Sequence, residues 1–372
     1  MTNLFQPLEV GGTKLQHRLV MAPLTRYRAD DNCVPMDIAK EYYTQRACVP
    51  GTLILSEAVQ ISPRCVGRDN APGIWSEAQM AAWKDIVDAV HAKGCYIWCQ
   101  LWVQGRAADP AVQRRRGSRF MSSSAVPHCP EAETPEEMTE KDILEVIDDY
   151  RAAAKNAIEG AGFDGVEVHG GNGYLPDQFL QDVCNKRTDH WGGSIENRAR
   201  FHIEVLKAIV GEVGADKTAV RLSPWSDFMA MGMDDPVPTF TYLVEQLRTM
   251  KLAFLDLIEA RIRGNDDAEC GDGKDVGFLV RAWGGVSPVM IGGGFNLESA
   301  KVAVDEKYSG YEVAIVFGRY WTSNPDLTFK MFKEDVPLVK YDRSTFYTPK
   351  KADGYIDWEF SPEFKAASVK VA

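Results

Sequence analysis

Eight short apolar runs alternate with amphipathic stretches along the 372-residue chain, and that alternation leaves few folds open. The runs occupy residues 18–25, 51–59, 95–102, 163–168, 218–224, 254–260, 288–295 and 313–320. Each has the length and composition of a buried strand. Helical periodicity fills the intervals at 35–46, 76–93, 139–160, 194–213, 239–251, 275–283 and 297–304. Ser76-Glu77-Ala78-Gln79 is a capping box, and Thr139 and Ser194 are N-cap residues. Ile143, Val146, Ile147 and Tyr150 fall on one helical face. With no hairpin spacing, this α/β pattern predicts a (β/α)8 TIM barrel, with residues 1–372 as a single domain. A doubly wound sheet would need a G-x-G-x-x-G after an early strand, and none is present. The long connection 103–138 after the third strand has the length of a lid or small subdomain. The aromatic-rich tail, 335–372, is expected to pack back on the body.

Chemistry in such a barrel collects at the C-terminal ends of the strands. The fourth run ends in Val166-Glu167-Val168-His169-Gly170-Gly171-Asn172-Gly173-Tyr174. If this turn opens into helix, His169 and Asn172, at i and i+3, share a side and can grip one oxygen atom. Tyr174 is a weak acid able to deliver a proton. Taken alone, the stretch reads equally well as a glycine turn beside a core histidine. The other ends carry Thr25, Glu57-Ala58, Gln100 and Trp102, Arg221, Glu259, Gly292-Gly293-Gly294 and Gly318-Arg319. Glycines at the seventh and eighth ends, with an arginine, suit a phosphate. Gln100 and Arg221 suit the electron-rich edge of a planar ring, although an arginine in a strand is more often a structural ion-pair member. Together these point to a flavin. A phosphosugar aldolase or isomerase would share the phosphate site but needs a strand-end Lys or carboxylate. Only Glu57 and Glu259 offer that.

The formal net charge of −11 argues against nucleic acid or an anionic membrane as partner. Arg114-Arg115-Arg116 and Arg119 are the local exception, best read as a solvated loop. No stretch reaches transmembrane length and the N-terminus lacks signal-peptide design, so a soluble cytoplasmic protein is expected. The eight cysteines form no Cys-x2-Cys pair and the six histidines show no ligand spacing, so no metal site is expected.

The chain resembles the Old Yellow Enzyme family of FMN-dependent ene-reductases, from about Leu4 to Trp358. The resemblance rests on several segments: Ala22-Pro23-Leu24-Thr25, Gln100-Leu101-Trp102, the run from His169 to Phe179, Trp191 to Arg198, Arg221 to Pro224, Phe317-Gly318-Arg319, and Tyr341 to Tyr347. It is similar to the fungal branch that includes the ergot-pathway chanoclavine aldehyde reductases. The resemblance implies that Pro23, Leu24, Thr25, Ala58, Gln100 and Arg221 line the isoalloxazine, with Thr25 on flavin O4. Gly293, Gly294, Gly318 and Arg319 would hold the FMN phosphate. His169 and Asn172 would bind the carbonyl of an electron-poor alkene, Tyr174 would protonate its α-carbon, and Trp102 and Tyr347 would shape the pocket. NADPH would be co-substrate, and members are monomers or homodimers.

Family members often have Ala where Gly171 stands and Gly where Ala58 stands, with only small effects expected. Branch members with Phe at the proton-donor position isomerise rather than reduce; Tyr174 favours net reduction here. A flavin-binding protein with little turnover is the reading from another class. Substrate choice is expected to lie in loops 103–138 and 261–275.

Overall fold

The eight runs become eight parallel strands closed into a barrel: β1 Leu19–Met21, β2 Leu53–Gln60, β3 Tyr96–Trp102, β4 Gly165–His169, β5 Thr218–Leu222, β6 Phe254–Ile258, β7 Val289–Gly292 and β8 Val313–Phe317. The computed structural model describes residues 2–260, 262–263, 266–267 and 274–369. Strand neighbours follow sequence order, and β8 pairs with β1 to close the ring. The α/β TIM-barrel expectation therefore holds.

Alternation along the strands builds two apolar layers. Leu19, Ile54, Ile97, Val166, Val168, Leu255 and Ile315 point outward and pack under the helices. Val20, Leu53, Leu55, Trp98, Phe254, Met290 and Ala314 point inward and fill the barrel. Burying one such aliphatic side chain stabilises the fold by about 1.5–3 kcal/mol. Trp98 and Phe254 meet at 4.8 Å across the interior. Gly165, paired with Trp98 in register, leaves the indole its space, since a Cβ there would lie 2.5 Å from the ring. Leu8, Val10 and Leu15 join this interior cluster. They belong to an N-terminal hairpin, Leu8–Val10 with Thr13–Leu15, that the sequence reading missed.

The helices start as their caps require. The Ser76–Gln79 box closes in both directions ahead of Glu77–His91, and Thr139 with Asp142 does the same ahead of Glu140–Lys155. Ser194 caps Ile195–Val213. The apolar strand readings overshoot the strands at their C-terminal ends: residues 22–25, 259–260, 293–295 and 318–320 leave the sheet, and all of these but 259–260 line the barrel mouth. The 275–283 helix spans Gly277–Trp283.

Arg114, Arg116 and Arg119 are not a bare basic patch. Arg114 pairs with Glu133 at 2.7 Å and Arg119 with Glu136 at 2.7 Å, while Arg115 and Arg116 both reach Asp69. The tail does pack back. Arg28 donates to the carbonyls of Thr345, Phe346, Lys351 and Asp353, and Arg26 to those of Phe346 and Gly354. Tyr355 stacks on Tyr42 at 4.1 Å. Among the described residues no helix is long and apolar enough to cross a membrane.

Candidate active site

The mouth opens into a cavity of about 740 Å³ at the C-terminal ends of the strands. Every site residue read from the sequence lines it: Pro23, Leu24, Thr25, Ala58, Gln100, Trp102, His169, Asn172, Tyr174, Arg221, Gly293, Gly294, Gly318, Arg319 and Tyr347. Glu57 and Glu259 do not, which removes the acids a phosphosugar enzyme would have used.

The floor continues the inward rows of the barrel. Above Trp98, Phe254 and Ala219 come Gln100, Asp256 and Arg221, and above Gly165 comes Glu167. Gln100 Nε2 donates to Glu167 Oε1 at 2.7 Å, which orients the amide. Arg221 Nη1 lies 3.2 Å from Asp256 Oδ2, an ion pair by distance whose geometry is not that of an aligned hydrogen bond. Burial pushes the Glu167 carboxyl well above its ordinary range, and neighbouring Asp256 pushes it further. Burial raises Asp256 too, against the pull of Arg221. Sequence reading missed both acids. The available signal was a carboxylate at an inward position of an apolar strand, two residues from His169 in one case and two from Phe254 in the other.

One wall of the cavity is the turn after β4. It is not helical through Asn172, so the i, i+3 argument fails. Asn172 instead adopts a left-handed φ of 53°, with its N–H donating to Ser223 Oγ at 2.6 Å. Helix begins only at Leu175–Leu180. Gly171 matters for space rather than flexibility: a Cβ there would lie 2.5 Å from Ser223 Oγ. Gln178 clamps the turn. Its Nε2 donates to the carbonyls of Gly173 and Gln104, and its Oε1 accepts from Arg106 N and Ser122 Oγ. The 103–138 connection thus buttresses the turn, and only its Ala107 lines the cavity. It carries helix Pro110–Arg115 and a small two-stranded ladder, Met121–Ser122 with Glu136–Glu137. The 261–275 loop lies mostly outside the described residues.

The His169 and Tyr174 rings stand 4.7 Å apart, and Trp102 meets Tyr174 edge-on at 5.1 Å. Burial, then Arg221, holds the His169 pKa well below its ordinary value, so the imidazole is neutral. Burial raises the Tyr174 phenol above its ordinary value, so it keeps its proton through the neutral range. His169 Nδ1 and Asn172 Oδ1 are buried without a hydrogen-bond partner among the described residues.

These groups fit FMN. Gly293, at φ 141°, and Gly294, at φ 69°, bring bare backbone to the cavity; a Cβ on Gly293 would lie 2.6 Å from Glu259 Cβ. Gly318 and Arg319 stand at the end of β8 beside them. Gln100, Arg221 and Thr25 present polar groups to a ring, and Pro23, Leu24 and Ala58 present apolar wall.

The fold and this site define a flavin-dependent barrel oxidoreductase. The chain belongs to the NADH:flavin oxidoreductase / NADH oxidase family, which matches residues 3–337. It is 52% identical over 368 residues to the chanoclavine-I aldehyde reductase fgaOx3 of Penicillium roqueforti, covering 99% of each chain. It is 48% identical to a probable inactive reductase, easA, of Epichloe festucae var. lolii, covering 100% of this chain and 98% of the relative. Among solved structures, the Old Yellow Enzyme from Pichia sp. AKU4542 superposes with a TM-score of 0.90 at 38% identity, over 97% of this chain and 94% of that one. The protein is an oxidoreductase of the Old Yellow Enzyme type.

Proposed function

We propose that the protein is an NADPH-dependent ene-reductase that saturates the C=C bond of α,β-unsaturated aldehydes and ketones. One observation carries the reading. The side chains of His169, Asn172 and Tyr174 converge on one wall of the cavity with no hydrogen-bond partner among the described residues. His169 Nδ1 and Asn172 Oδ1 are buried, and buried polar groups are ordinarily satisfied, so this wall, with the half-buried Tyr174 beside it, awaits a ligand.

FMN, when bound, is the hydride carrier between NADPH and the β-carbon. Neutral His169 and the Asn172 amide hold the substrate carbonyl oxygen and draw electron density from the alkene. Tyr174 delivers its proton to the α-carbon. Thr25, Gln100 and Arg221 hold the ring edge, and Gly293, Gly294, Gly318 and Arg319 hold the phosphate. Trp102 and Tyr347 set the width of the pocket. Among the described residues, five arginines and no carboxylate line the cavity, a charge balance suited to a phosphate-bearing nucleotide.

Tyr174→Phe removes one O–H and keeps the ring packing. Anaerobic stopped-flow is expected to show reoxidation by 2-cyclohexenone slowed by about 10²–10⁴-fold, far more than flavin reduction by NADPH. Equal slowing of both half-reactions would sink the assigned role. Flavin binding with little turnover is the second reading, favoured by the likeness to the Epichloe relative, a probable inactive reductase. Counting NADPH consumed per saturated product separates the two, and it also exposes isomerisation without net NADPH use.

A further inference from the structure

The cavity's arginines are not equivalent. Arg221 faces Asp256, Arg319 stands beside the glycine cradle, and Arg343 lies in the tail turn Arg343–Thr345. Arg26 is buried, with its donors on Phe346 O, Gly354 O and Tyr42 Oη. Arg68 remains. It lines the cavity near Tyr27 and Tyr174, which pack with Trp102. Its Nη2 donates to Ala107 O at 3.0 Å, and no carboxylate pairs with it among the described residues. The adjacent acid, Asp69, is engaged by Arg115 and Arg116. The guanidinium is close enough to Tyr27 and Tyr174 to pull both phenol pKa values down, against the stronger effect of burial.

A half-buried guanidinium with aromatic walls, and with no carboxylate paired to it among the described residues, is a ready anion site. The loop does not depend on the side chain to hold its shape. The Arg68 N–H donates to Gln60 Oε1 at 3.1 Å, and the Arg68 carbonyl accepts from Gln60 Nε2 at 3.2 Å.

We propose that Arg68 is the specificity residue of the catalytic end and recognises an anionic group there. That group is a carboxylate on the electron-poor alkene or a phosphate of the nicotinamide nucleotide. The inference rests on the ene-reductase reading for the identity of the ligands, but its test does not need turnover.

The test is calorimetric titration of the oxidised holoenzyme with three probes: trans-cinnamaldehyde, its 4-carboxy derivative and NADP⁺. The parent is expected to bind the carboxylated aldehyde about tenfold or more tighter than the neutral one, the size of one charge-assisted hydrogen bond. Arg68→Gln should bring that ratio close to one, and Arg68→Lys should restore most of it. If the aldehyde ratio is near one in the parent and Arg68→Gln instead weakens NADP⁺ by about tenfold, the anion is the nucleotide's phosphate. If Arg68→Gln moves neither the aldehyde ratio nor NADP⁺ affinity, the inference is overturned. Failure of both aldehydes to reoxidise the reduced flavin would overturn the ene-reductase reading instead, with the binding ratios still deciding Arg68.

Discussion

Glu57→Gln isolates the electrostatic cost of one buried carboxyl in the wall behind the cavity. Glu57 lies within the irregularity in β2, between Leu55 and Ala58. Its Oε2 accepts from the Arg26 N–H at 3.1 Å, and its own N–H donates to Tyr43 Oη at 2.8 Å. Arg26 and Arg28 face it with positive charge, and Tyr27, Tyr43 and Tyr355 face it with phenols. Burial outweighs both arginines and raises the carboxyl from 4.5 to about 7. Each pH unit of that rise is worth about 1.4 kcal/mol, so ionised Glu57 costs the fold about 3 kcal/mol. The unfolded chain releases this proton near 4.5 and the folded chain near 7. Between those values the folded state binds the extra proton, so stability is full below 4.5 and falls as pH rises through 7. Gln keeps an acceptor for Arg26 and cannot ionise. Scanning calorimetry from pH 4 to pH 8.5 is expected to find the variant level with the parent at the acid end. By the alkaline end it should be about 3 kcal/mol more stable. Parallel stability curves, or a variant that loses ground as pH rises, would refute the reasoning.

Gly165→Ala places a Cβ 2.5 Å from the Trp98 ring inside a filled barrel, and overpacking of this kind costs about 1–3 kcal/mol. A lowered unfolding temperature with an unchanged far-UV spectrum is expected; an unchanged midpoint would mean the indole has room to move. Arg28→Ala removes the side chain that donates to Thr345, Phe346, Thr348, Lys351 and Asp353. Limited proteolysis should then cut residues 343–353 several-fold faster, and the half-saturation for enone should rise as Tyr347 loses its anchor. A tail equally resistant in both proteins would show that Arg26, together with Arg46, which donates to the Tyr355 carbonyl at 3.2 Å, suffices.

Much of the architecture is local information. The period of apolar residues set strand against helix, Ser76, Thr139 and Ser194 marked helix starts, and the barrel followed because parallel strands joined by helices have few ways to bury both faces. The residues at the strand ends were legible for the same reason, since a barrel sends every strand's C-terminal end to one mouth. Strand limits were misjudged there because residues such as Ala22, Leu24 and Phe295 stay apolar to line a cavity, not to pair in a sheet. Tertiary structure alone decided the rest. Asp256 and Arg221 meet through strand register, and Arg68 shares the cavity of Tyr174 from a loop about a hundred residues earlier. The left-handed Asn172 and the hold of Arg28 on the tail also depend on partners distant in sequence. Periodicity records which face of an element is buried; it carries nothing about which side chains meet once the ring has closed.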